Sequence, residues 1–207
     1  MTDDFFQPPP PRPPEPEEVE PRQPWTGQPN NVLGALAAAS LMLTRTEEVT
    51  LAIDRLTAYP DGFELRVVIL LRRADDGDPW MRGPFPWQHP RREGELRDDF
   101  LRFGMRFPDG TKLTNVGGNA WGTGGRPDHP VLLEQGGGGG GTRWEQDYWV
   151  WPLPTAGRME FVCEWPAKGI ALTRVPFDAG SIVEAASRAV TLWPEEPPEN
   201  GSRRLML

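Results

Sequence analysis

The chain is almost without cysteine, lysine and histidine. One cysteine among 207 residues, Cys163, excludes an intrachain disulfide, and with two histidines it leaves too few donors for a Cys/His zinc site within one chain. Lysine occurs only as Lys112 and Lys168, so nearly every cation is an arginine; codon bias in a GC-rich genome explains this more simply than a need for guanidinium groups. Positive charge is also short overall. A formal net charge of −8 argues against a surface that binds nucleic acid by counterion release or docks on an anionic membrane. The longest apolar stretch, Val32 to Leu43, is about half the length needed to span a bilayer. The opening residues, Met1-Thr-Asp-Asp-Phe-Phe-Gln-Pro8, lack the basic start and apolar core of a secretory signal. These absences predict a cytoplasmic protein without membrane insertion, nucleic-acid partner, metal or cofactor.

Catalytic motifs are equally scarce. Gly117 to Gly125 is glycine-rich, but a phosphate loop needs Gly-Lys-Ser/Thr opening a helix, and no such triplet follows. His89 and His129 each precede a proline in loop-like sequence, and none of the four serines lies in a Gly-x-Ser-x-Gly elbow. Cys163 falls on the apolar face of a predicted strand, where a small buried hydrophobe is the ordinary role. Glu145 and Asp147 alternate on one strand face, which sets their β-carbons roughly 7 Å apart, near the carboxyl spacing of inverting glycosidases. The same pattern is also that of a solvated strand face.

What is abundant is proline (25), glycine (23) and tryptophan (9), a balance that favours turns and loops over long helices. Two Pro-Asp-Gly triplets, in Tyr59-Pro-Asp-Gly-Phe63 and Phe107-Pro-Asp-Gly-Thr111, each lie between strand-forming runs and predict hairpins in which glycine takes φ > 0. Alternation predicts strands near 38–45, over Val49 to Tyr59, Phe63 to Leu71, Phe100 to Phe107, Thr111 to Asn115, Val131 to Glu134, Arg143 to Trp151, Arg158 to Trp165 and Ile170 to Val175. In Arg158 to Trp165 the residues Met159, Phe161, Cys163 and Trp165 face inward. The six glycines Gly136 to Gly141 read as a flexible connection. Ser181-Ile-Val-Glu184 is a capping box opening a helix that Pro194 stops.

The expected architecture is all-β: a two-sheet antiparallel immunoglobulin-like β-sandwich of about eight strands with one C-terminal helix over 179–193. The domain spans 31–194. Residues 1–30 form a disordered Pro/Glu-rich tail, more a solvated spacer than a docking ligand, and 195–207 a polar tail.

Aromatic placement is the remaining functional signal. On Arg143 to Trp151, Trp144 and Tyr148 share one face while Trp149 and Trp151 share the other, and only one face of such a sheet needs to be core. The second pair packs under the 73–99 loop or the C-terminal helix, or else it lines a contact surface. Trp87, Trp121, Trp149 and Trp151 are the candidate binding residues. The segments Tyr148-Trp-Val-Trp-Pro-Leu-Pro154, Phe161-Val-Cys-Glu-Trp-Pro166 and Gly169-Ile170, with the Ala/Trp-rich final helix, resemble a family of uncharacterised actinobacterial proteins. That resemblance covers about half the chain and implies no activity. The function expected is therefore a non-enzymatic protein-interaction or accessory module with another protein as partner. A carbohydrate or small-ligand binder using the same tryptophans is the alternative, and a glycoside hydrolase using Glu145 and Asp147 the third reading.

Overall fold

Twelve strands, one α-helix and a short 3-10 turn at Pro166–Lys168 are present among the residues that the computed structural model describes, 22–38, 40–73, 96, 98–116 and 126–193. In chain order they are β1 (Val32–Leu33), β2 (Ala35–Ala38), β3 (Leu41–Arg45), β4 (Val49–Ala58), β5 (Phe63–Leu71), β6 (Arg102–Arg106), β7 (Lys112–Thr114), β8 (Val131–Gly140), β9 (Arg143–Trp151), β10 (Arg158–Trp165), β11 (Ile170–Asp178), α1 (Ala179–Ser187) and β12 (Val190–Thr191). All pairings are antiparallel. A six-stranded sheet runs β2-β4-β5-β9-β8 with β3 also on β4; a four-stranded sheet runs β11-β10-β6-β7. A third sheet, not anticipated, is the ribbon β1-β12. Its two-residue strands are too short to carry a readable alternation.

The two larger sheets share one hydrophobic core. Leu51, Ile53, Leu65, Val67 and Tyr148 enter it from the larger sheet, and Phe103, Met105, Met159, Phe161 and Cys163 from the smaller. The Phe103 and Tyr148 rings meet across it with centroids 5.4 Å apart. Strand β3 lies beside β11 along one side, and β7 beside β8 along the other. Within this core Asn115 does the work of a strand end. Its Oδ1 accepts from Phe103 N at 2.9 Å, while its Nδ2 donates to Leu101 O at 3.1 Å and to the Tyr148 hydroxyl at 3.4 Å. Burial holds that phenol, and the Cys163 thiol, above their ordinary pKa; the thiol reaches about 11.

The strands form where alternation places apolar residues on one face. Val49, Leu51 and Ile53 point inward on β4; a bulge between Ile53 and Arg55 resets the phase so that Leu56 and Ala58 also point inward. On β10, Met159, Phe161, Cys163 and Trp165 are all buried, as the pattern requires. Strand β11 runs three residues past its expected end, through Pro176. It is an edge strand, where a missing N–H costs no ladder bond.

The two Pro-Asp-Gly triplets make different turns. In 107–111, Gly110 has φ 91°, its N–H donates to Phe107 O at 2.9 Å, and Asp109 Oδ1 accepts from Thr111 N at 2.8 Å. In 59–62, Gly62 has no positive φ. It is required because a β-carbon there would lie 2.5 Å from Trp149 Cζ2 and from Val150 O.

Three expectations are corrected. Gly136 to Gly140 form the outer half of β8 and pair with Arg143 to Asp147; they are sheet and not a flexible connection. The inward amide of Gln146 holds this half in place, Nε2 donating to Gly136 O at 2.6 Å and to Asp147 O at 3.0 Å. The helix starts at Ala179, as expected, but ends earlier than read and is capped by a different residue. Asp178, not Ser181, is its N-cap, accepting from Gly180 N at 2.9 Å. The chain leaves the helix at Arg188 because Val190–Thr191 are taken up by β1. Ala179, Ile182 and Ala185 bury the helix against β2 and β4. The compact unit spans Gln23–Glu195, so eight residues assigned to the tail, 23–30, belong to it.

Candidate functional site

The outer face of the six-stranded sheet carries two of the expected contact residues and both candidate carboxylates. Alternation along β9 sends Trp144, Gln146, Tyr148 and Val150 inward, so Glu145, Asp147, Trp149 and Trp151 emerge together on the outside. Trp87 and Trp121 lie outside the described residues.

Trp149 and Trp151 are nevertheless buried, at 0% and 7% exposure. Among the described residues their cover is the segment 23–26 and not the helix, while nearly all of the 73–99 loop lies outside the described residues. Trp149 Nε1 donates to Pro24 O at 3.0 Å, and Tyr59 meets its ring edge-on at 5.6 Å. Trp25 meets Trp151 edge-on at 5.8 Å, and the Arg126 guanidinium sits 5.4 Å from the centroid of the Trp151 ring. The segment is closed by Thr26, whose N and Oγ1 both donate to Gln23 O at 2.9 and 2.8 Å. It is tied to β8 by Gln135 Nε2, donating to Thr26 O at 3.1 Å. An indole N–H buried without an acceptor costs about 1–3 kcal/mol, so the backbone carbonyl of Pro24 fixes where the strap lies. Sugar stacking needs an open ring face, and neither Trp149 nor Trp151 offers one in this arrangement.

Beyond the strap the same face becomes ionic. Arg66 Nε and Nη2 donate to the two oxygens of Asp147 at 2.7 and 2.9 Å, and Arg66 Nη1 lies 3.0 Å from Glu145 Oε2. Arg55 joins Glu64 at 3.0 Å and lies 3.7 Å from Asp147; Arg143 joins Glu145 at 2.6 Å and Asp54 at 3.2 Å. The hydrogen bond to Asp147 raises the Arg66 pKa above an already high value, so its charge is permanent. The network borders an open trough of about 370 Å³ over Gly137, Gly138 and Gly139. Glu145 and Asp147 are thus bridged by one guanidinium, an arrangement that builds a sheet face as readily as a catalytic pair.

The other titratable candidates are scattered. His129 is exposed, with Nδ1 2.5 Å from Asp128 Oδ1, and Cys163 is in the core. His89 is outside the described residues. Among the described residues no group of three or more His, Cys, Asp or Glu is placed to hold a metal ion, and no helix is long and apolar enough to cross a membrane.

Sequence reasoning missed Pro24, Trp25, Gln135, Arg66 and Arg126. A tryptophan inside an otherwise polar, proline-rich segment was the available signal for the strap, since such composition has no other reason to hold a large apolar ring. No family model, curated protein or solved structure matches this chain.

Proposed function

We propose that this chain is a non-enzymatic protein-interaction module, an immunoglobulin-like sandwich in architecture, whose outer sheet face receives an extended segment containing proline and tryptophan. One observation carries the reading: the molecule already lays such a segment, Gln23 to Thr26, on Trp149 and Trp151, with a backbone carbonyl received by an indole N–H and an aromatic anchor set against an aromatic. This is the chemistry of extended-peptide recognition, in which backbone bonds give affinity and aromatic contacts give choice. The partner supplies a segment of the same kind, and the protein's own strap competes with it.

The competition sets the test. A strap held in cis acts at an effective concentration on the order of millimolar, so a free peptide binds the intact chain poorly. In the full chain carrying Trp25→Ala the Trp151 ring loses its cover. A fluorescein-labelled peptide spanning residues 21–28 is titrated against both proteins by anisotropy. Saturable binding to the Trp25→Ala chain, at least tenfold tighter than to the wild type and lost when the peptide's own tryptophan is alanine, is the expected result. A flat titration with both proteins removes the reading.

A further inference from the structure

We propose that the ribbon formed by β1 and β12 is a self-association surface, taken by the same ribbon of a second copy of this chain. Leu33, Leu36, Val190, Leu192 and Trp193 are each more than half exposed, and all five lie on two short segments that the fold brings together. Leu33 and Val190 are cross-strand partners, so their side chains leave the same side of the ribbon, and Leu192 follows Val190 on that side. The segments are stitched at both ends. Leu192 N donates to Asn31 O at 2.8 Å and Asn31 Nδ2 to Trp193 O at 2.9 Å, while Arg188 Nη2 donates to Leu36 O at 3.2 Å.

Two properties of the patch select a second copy as its occupant. The first is charge. Neither 31–40 nor 189–193 contains a charged residue, in a chain of which 25% is charged. Charge depletion around an aromatic is the composition of an interface centre, and an uncharged patch meeting its own copy leaves no ion to desolvate. Beside the patch Glu184 and Arg188 pair with each other at 2.9 Å, and Arg188 also reaches Leu36 O. The second is area. Five large side chains half exposed offer roughly 500 Å² of apolar surface, so two patches related by a twofold axis bury roughly 1,000 Å², the lower limit for a specific interface. An interface at that limit is weak and reversible. Because each copy carries a formal charge of −8, salt strengthens the dimer by screening repulsion between the subunits.

The test is sedimentation equilibrium of the full chain from about 1 to 200 µM, at low and high salt. The expected result is a monomer–dimer equilibrium that tightens in high salt. Leu33→Glu and Val190→Lys, both at exposed positions, each weaken it by roughly 100-fold, because a charge is then buried against apolar surface. Met42→Glu, at an equally exposed apolar position on β3, leaves it unchanged. Circular dichroism identifies any variant that fails to fold, and either ribbon variant suffices alone. A wild type that stays monomeric throughout, or ribbon variants that dimerise as Met42→Glu does, overturns the proposal.

Discussion

Replacing two adjacent residues in the six-glycine run by alanine changes stability in opposite directions. Gly138 has no positive φ, and a β-carbon added to it meets nothing within 4 Å. Alanine there removes freedom from the unfolded chain without strain in the folded one, a gain of about 0.4–1 kcal/mol. Gly139 has φ 145°, and its added β-carbon would lie 2.3 Å from Arg143 O and 2.6 Å from Trp144 Cα. Those neighbours are backbone and cannot step aside. The cost is about 1–3 kcal/mol for the forbidden conformation, before the clash. Both glycines are exposed, so burial of the added methyl contributes little to either. The two variants therefore differ by at least about 1.4 kcal/mol, and by more once the clash is added. With a urea m-value of about 1–3 kcal/mol/M their midpoints separate by roughly 1 M, with Gly138→Ala above the wild type and Gly139→Ala below it. Tryptophan fluorescence reads the transition. Midpoints shifted equally, or to the same side of the wild type, refute the claim that this run is strand with alternating steric demands, and return it to the status of a flexible connection.

Trp149→Phe removes the hydrogen bond to Pro24 O and costs about 1 kcal/mol, concentrated in the strap. Faster amide exchange and proteolysis across 22–27, with the remaining protection unchanged, is the expected pattern. The pH dependence follows from Cys163, whose folded-state pKa lies at about 11 because of burial. Below the unfolded-state value both states hold the proton and nothing is lost; above it the unfolded state deprotonates first, so stability falls as pH rises towards about 11. Tyr148, raised by the same cause, extends the decline to higher pH. A thermal-melting series from neutral to alkaline pH should show this fall, shallower in Cys163→Ala. An identical alkaline slope in that variant rejects the assignment.

The long strands were legible because each presents one apolar face at period two, and those faces meet in one core: Val49 to Ile53, Phe63 to Ile69 and Met159 to Trp165 all point inward as read. The elements that escaped notice have no period to read. Val32–Leu33 and Val190–Thr191 are two residues each, and the glycines of β8 have no side chains, so their strand character comes entirely from the partner β9. The helix was read to Trp193 on a continuing apolar stripe, yet a tertiary pairing with β1 outweighed the local preference. On the site, the surplus of tryptophan on β9 was visible and its cover was not. Composition marks 1–30 as polar and proline-rich, while what decides the position of 23–26 is a single ring and a single carbonyl.

Gln146 has a consequence for how this protein tolerates inheritance. A tract of identical glycines has no side chains to mark its register. In most strands one added residue turns every following side chain to the wrong face. Here there is nothing to turn. The Gln146 amide counts the tract from one end, at Gly136, and the opposite end is the exposed Gly141-Thr142 turn. An extra glycine is taken up at that free end as a longer tip, leaving the wall of charged residues on β9 and the strap above Trp149 where they were. The tract is a length of the protein that can drift while its neighbours keep their places.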